Sequence, residues 1–112
     1  MPGQVEAVEL LLGEGVDVAA PGGAVTLGLC GSWDHDGPCR WPHHSAIAAT
    51  GPTWTLRVVF VADHREVADV RRRIGASLAS DDRWSVLRAV PASLDPGSGE
   101  PALAASLGGR GS

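Results

Sequence analysis

The sequence predicts an α+β domain: a small mixed sheet of three or four strands with one amphipathic helix packed on one face. Three consecutive patterns carry this expectation. Residues 54–62 alternate as a strand does, residues 64–79 repeat apolar side chains at helical spacing, and residues 84–90 return to a strand pattern. If the two strands share a sheet in parallel, the crossover between them should be right-handed. A chain of 112 residues limits the fold to one small domain. That length excludes a dinucleotide domain joined to a substrate domain, a barrel enzyme or a repeat array.

The amino-terminal segment reads two ways. Val5, Val8, Leu11 and Leu12 share one helical face, with Glu6 and Glu9 turned outward, and Gly13-Glu14-Gly15 would end a short helix over 4–13. Val8, Leu10 and Leu12 also alternate, so a strand fits nearly as well. Residues 6–18 resemble the second helix and exit turn of an ankyrin repeat. The Thr-Pro-Leu-His start of that family is missing and nothing repeats downstream, so the phrase is taken as a helix and turn, without the family.

Pro21-Gly22-Gly23 reads as a turn, followed by a strand over 24–30 with Val25, Leu27 and Leu29 on one face. A polar loop from Gly31 to Pro42 bends most sharply at Asp36-Gly37-Pro38. A short strand over 45–49 ends before Gly51-Pro52. In the strand 54–62, Trp54, Leu56, Val58, Phe60 and Ala62 lie on one face. Asp63 is placed to cap the following helix, with Glu66 as its capping-box partner. Val67, Val70, Ile74 and Leu78 form that helix's apolar stripe. The expected core joins this stripe to Trp54, Leu56, Val58, Phe60, Val86 and Val90. Residues 1–90 are expected to form the domain, with 1–23 at its periphery. In 91–112, Gly, Pro and Ser make up twelve of twenty-two residues, which predicts a flexible tail.

Composition narrows the function classes. Nine basic against thirteen acidic residues give a formal net charge of −4, which argues against a nucleic-acid or anionic-membrane partner. No apolar stretch approaches the roughly 18 residues of a membrane span. The start lacks the basic and apolar regions of a signal peptide, so a cytoplasmic protein is expected. In that reducing compartment the two cysteines are expected as thiols or metal ligands rather than as a disulfide. All nine basic residues are Arg, and Lys, Asn and Tyr are absent, a skew expected of a GC-rich bacterial genome.

The functional signal is a cluster. Both cysteines and three of the four histidines fall within residues 30–44, together with Trp33 and Trp41. Thiolates and imidazoles are the preferred ligands of zinc, and the same set suits copper. Cys30, Cys39 and His43, completed by His35 or His44, supply a tetrahedral set, although no Cys-x-x-Cys knuckle is present. With a water in the fourth position the site would be an open, catalytic metal centre, with Asp34 or Asp36 orienting a histidine or acting as base. Trp33 and Trp41, with Arg40, would then wall a pocket for a small molecule. A metal-free alternative makes Cys39 or Cys30 a nucleophile or redox thiol, with His35, His43 or His44 as base and Asp36 as orienter. A third reading is a non-catalytic domain whose loop is stapled by structural zinc, and a fourth is a purely structural loop.

Outside the cluster, His64 is expected as an exposed first-turn residue. Arg71, Arg72 and Arg73 cannot share one helix face and are expected at a solvated surface. Gly28 marks either a bulge or a close backbone approach.

Overall fold

The computed structural model describes residues 3–30 and 41–110. Its elements are β1 (Gly3–Leu12), α1 (Ala20–Cys30), β2 (His43–Thr50), β3 (Thr53–Val61), α2 (Val67–Ala79), β4 (Trp84–Ala92) and α3 (Glu100–Arg110). The strands form one sheet in the order β2-β3-β1-β4, and every neighbouring pair is antiparallel. The expectation of a mixed sheet is therefore corrected. β3 and β4 do run parallel, but β1 lies between them; β1 and β2 are likewise parallel with β3 between. Each of α1 and α2 bridges such a split pair, the β-α-β-β-α-β connectivity of ferredoxin-like sheets.

Strand alternation divides the interior in two. Val8 and Leu10 of β1, Leu56, Val58 and Phe60 of β3, and Trp84 of β4 face α1 and α2, where Val25, Leu29, Val70, Ile74 and Leu78 close the main core. Val5, Val59 and Val61 point the other way and meet Ala104 and Leu107 of α3. Of the expected core, Trp54 is only partly buried, and Val90 lies on the α3 side opposite Ala7.

Three expectations on local structure are overturned. The 4–13 segment is a strand, not a helix: a central strand buries both faces, and Leu11, which a helix would have turned inward, is 48% exposed. The expected strand 24–30 is the second half of α1. Here Pro21, Val25 and Leu29 form a buried i, i+4 stripe, while Leu27 is exposed. Pro21 sits in the first turn, where its missing N–H removes no helical bond, so it starts a helix rather than making a turn. Asp17 prepares that start, its carboxylate accepting the Ala19 N–H at 2.9 Å. The capping box also fails to form. Asp63 instead accepts the Arg65 N–H at 3.0 Å, and the helix begins after Glu66, which makes no side-chain cap.

Residues 91–112, expected as a tail, contain the end of β4 and α3. Glu100 anchors α3. Its carboxylate accepts Arg57 Nε at 2.7 Å, Arg57 Nη2 at 2.9 Å and the Asp95 N–H at 2.7 Å. The Arg run is no uniform solvated face. Arg71 reaches buried Glu6 at 2.5 Å, Arg72 pairs with Asp69, and Arg73 lies 4.8 Å from the centre of the Trp41 ring. Among the described residues no helix is long and apolar enough to cross a membrane.

Candidate functional site

β2 is an edge strand whose first residue is His43, and α1 packs along its inner face. Period-two alternation sends His43, Ser45 and Ile47 toward α1 and sends His44 and Ala46 to the opposite side of the sheet. Two expected metal ligands, His43 and His44, thus project to opposite faces of the sheet, although His44 also borders the cleft beside His43. His44 is exposed and borders a hollow of about 360 Å³ with Arg57, Glu100 and Leu103. His43 borders a cleft of about 440 Å³ between α1 and β2, walled by Val18, Gly22, Thr26, Ser45, Ile47 and Leu56.

The hydrogen bonds of His43 fix its tautomer. Nδ1 lies 3.1 Å from the Trp41 carbonyl, which can only accept, so Nδ1 carries the proton. Nε2 then offers a lone pair, and the Thr26 hydroxyl sits 3.1 Å from it. The single Thr26 proton is shared between this nitrogen and the Gly22 carbonyl at 3.2 Å. Burial pushes the His43 imidazole below its usual range. The hydrogen bond to Trp41 opposes that shift, and the neighbouring His44 adds to it. His43 is therefore neutral at pH 7, with a basic nitrogen aimed at a hydroxyl.

Ser45 lies two residues along β2 on the same face. Its Oγ is buried and has no hydrogen-bond partner among the described residues, a state that costs about 1–3 kcal/mol unless something else satisfies it. Gly22 makes room for this arrangement, since a Cβ there would stand 3.2 Å from Ser45 Cβ.

Cys30 ends α1, with its sulfur 3.9 Å from His43 Nδ1. It is disulfide-bonded, which corrects the expectation of a thiol at this position. The one other cysteine of the sequence, Cys39, lies outside the described residues, as do Trp33, Asp34, His35, Asp36 and Arg40. Trp41 is buried in the main core, 4% exposed, and does not wall the cleft. Among the described residues no three His, Cys, Asp or Glu side chains come together as a metal-binding group. His64 is exposed beside Asp63, as expected, but it lies in the turn before α2 and not in the helix's first turn.

Sequence reasoning found His43 and missed Thr26 and Ser45. Thr26 was hidden because its segment reads as a strand, and only helical spacing turns Thr26 and Gly22 toward the same neighbour. Comparison with protein-family models, with curated proteins and with solved structures returned no match.

Proposed function

We propose that this protein binds a small molecule in the cleft between α1 and β2, with His43 as its polar anchor. The observation that carries the proposal is the Thr26–His43 hydrogen-bonded pair, with the Ser45 oxygen unpartnered among the described residues, lining one cleft with Val18, Ile47 and Leu56. Such a cleft suits a ligand with an apolar body and one polar head group. The head group would exchange hydrogen bonds with Ser45, Thr26 and His43, while Val18, Ile47 and Leu56 hold the body. N-benzylacetamide, an aromatic ring carrying one carbonyl, is a suitable probe. In a ¹H–¹⁵N NMR titration it should shift the amides of Gly22, Gly23, Thr26, Ser45 and Ile47 saturably. Ala19→Trp, a change at an exposed rim position, should abolish those shifts. Absence of saturable shifts at these residues, or shifts that survive in the rim variant, refutes the reading.

A second reading keeps the metal. In a reducing cytoplasm the Cys30 disulfide would open, and a thiol would then stand 3.9 Å from an imidazole. Zinc, or copper, would draw on Cys30 and His43, with Cys39 and His35 as the remaining donors. This version requires His43 to turn its lone pair, because the nitrogen now facing the sulfur bears the proton and the free lone pair faces Thr26. Stoichiometric zinc uptake by the reduced protein, lost in both Cys30→Ser and His43→Gln, is the expected result for a metal centre. Uptake unaffected by either change refutes it.

A further inference from the structure

We infer that Thr26 is a hydroxyl nucleophile, activated by His43, that accepts an acyl group from an activated ester or thioester. The inference rests on the cleft reading above and adds a reaction to it. Nucleophilic catalysis by a hydroxyl needs three things: a base within hydrogen-bond reach, a third group that holds the base in the right tautomer, and a donor for the developing oxyanion. The base is in hydrogen-bond contact with Thr26 and with the group that holds its tautomer, and Ser45 is the nearby hydroxyl that can serve as the third. Thr26 Oγ1 lies 3.1 Å from His43 Nε2, and the Trp41 carbonyl holds the Nδ1 proton at 3.1 Å. The Ser45 hydroxyl has no hydrogen-bond partner among the described residues. It flanks Gly22, to whose carbonyl Thr26 also points, so both hydroxyls border the same glycine.

The chemistry closes on these groups. As Thr26 Oγ1 bonds to the acyl carbon, its proton passes to His43 Nε2 and Ser45 donates to the carbonyl oxygen. The bond to the leaving oxygen or sulfur then breaks, and the leaving group takes the proton from Nε2. Water repeats the sequence on the acyl-threonine: it gives its proton to Nε2, bonds to the acyl carbon and expels Thr26, which recovers the proton. The substrate class follows from the orienting group. A carbonyl fixes the tautomer but brings no negative charge to stabilise an imidazolium, so the site suits a good leaving group and not an amide.

The test uses p-nitrophenyl acetate with the full chain, and N-benzylacetamide as the unreactive binding probe. The wild type should release a stoichiometric burst of p-nitrophenolate, and peptide mass spectrometry should find the acetyl group on Thr26. Thr26→Val should eliminate the burst while Thr26→Ser retains it, with circular dichroism showing both variants folded. His43→Gln should slow acylation at least about 100-fold, and Ser45→Ala by a similar factor. The burst rate should be level from about pH 7 upward and fall only below about 6.5, because burial holds His43 under its ordinary value. An acetyl group found on any other residue, or a burst that persists in Thr26→Val, overturns the inference. So does the absence of acylation while N-benzylacetamide still shifts the cleft amides, a result that leaves the binding reading standing. Loss of both signals removes the two together.

Discussion

Gly28 and Gly75 offer the same substitution with opposite expected signs. Both lie within helices, Gly28 in α1 and Gly75 in α2. A Cβ built on Gly75 meets nothing within 4 Å. Gly75→Ala should therefore show the helix-propensity gain alone, about 1 kcal/mol in favour of folding. A Cβ on Gly28 would overlap Ser77 Oγ and stand 2.9 Å from Ser77 Cβ, closer than real Cβ atoms approach. The Ser77 hydroxyl can rotate away at the cost of its 2.7 Å bond to the Arg73 carbonyl, but its Cβ can yield only if α1 and α2 separate. Overpacking of this kind costs about 1–3 kcal/mol. Gly28→Ala should thus lie about 1–3 kcal/mol below Gly75→Ala in urea denaturation, at unchanged m-value. In a domain of this size that gap is several degrees of melting temperature. Ser77→Gly removes the obstructing Cβ, so the double variant Gly28→Ala/Ser77→Gly should recover most of the loss as a favourable coupling energy. If Gly28→Ala stabilises as much as Gly75→Ala, or shows no coupling to position 77, the close helix contact is refuted.

Two further perturbations test how the layers are held together. Glu100 is held below the usual carboxylate range, chiefly by its hydrogen bonds to Arg57. Its folded pKa is thus lower than its unfolded one, so its contribution is present above about 4.5 and is lost as pH falls through the lowered value. Protection of the α3 amides, measured relative to their intrinsic exchange rates, should fall selectively over that acid window, and Glu100→Gln should abolish this fall at a cost of about 1–3 kcal/mol; protection in the wild type that does not change with pH would refute the anchor. The second perturbation concerns Glu6, 5% exposed under Arg71, which also donates to the Val5 carbonyl at 2.8 Å. Arg71→Met strands a buried carboxylate and should cost about 3–5 kcal/mol, whereas Glu6→Leu/Arg71→Met should cost far less. Equal losses in the single and double variants, measured by urea denaturation, would show that Glu6 does not depend on Arg71.

The parts of the fold legible in the sequence are those where local pattern and tertiary context agree. α2 buries one clear stripe and β3 alternates along its inner face, and their spacing announces both, although β3 also buries Val59 and Val61 against α3. β1 and α1 were misread for a common reason: in each, two periodicities coexist and packing chooses between them. Val8, Leu10 and Leu12 fit a strand while Val5, Val8 and Leu12 fit a helix, and two flanking strands on β1 decide for the strand. In α1, Val25, Leu27 and Leu29 alternate, yet the i, i+4 run through Pro21, Val25 and Leu29 is what meets the core. α3 has weak helical propensity of its own, with two glycines near its end. Its stability comes from Leu107 and Ala104 against the sheet and from Glu100 held by an arginine 43 residues away. No local pattern can show such a contact.

The same logic explains which half of the candidate site the sequence exposed. Clustering of rare residues marks where chemistry-bearing groups concentrate, and it drew attention to His43. Clustering along the chain does not specify which groups meet in space. His43 and His44 are adjacent in sequence, and β-alternation parts them to opposite faces of the sheet. Thr26 stands 17 residues before His43, and the α1 helix turns it to within 3.1 Å of the imidazole. A histidine's role follows from what its two nitrogens face. Here one is fixed on a main-chain carbonyl and the other is directed at a hydroxyl in a cleft, an arrangement that leaves Nε2 with a lone pair to offer. The Thr26→Val and His43→Gln variants therefore test more than one reaction. They test whether function in this domain arises where two elements distant in the chain are brought together by the split β-α-β crossover.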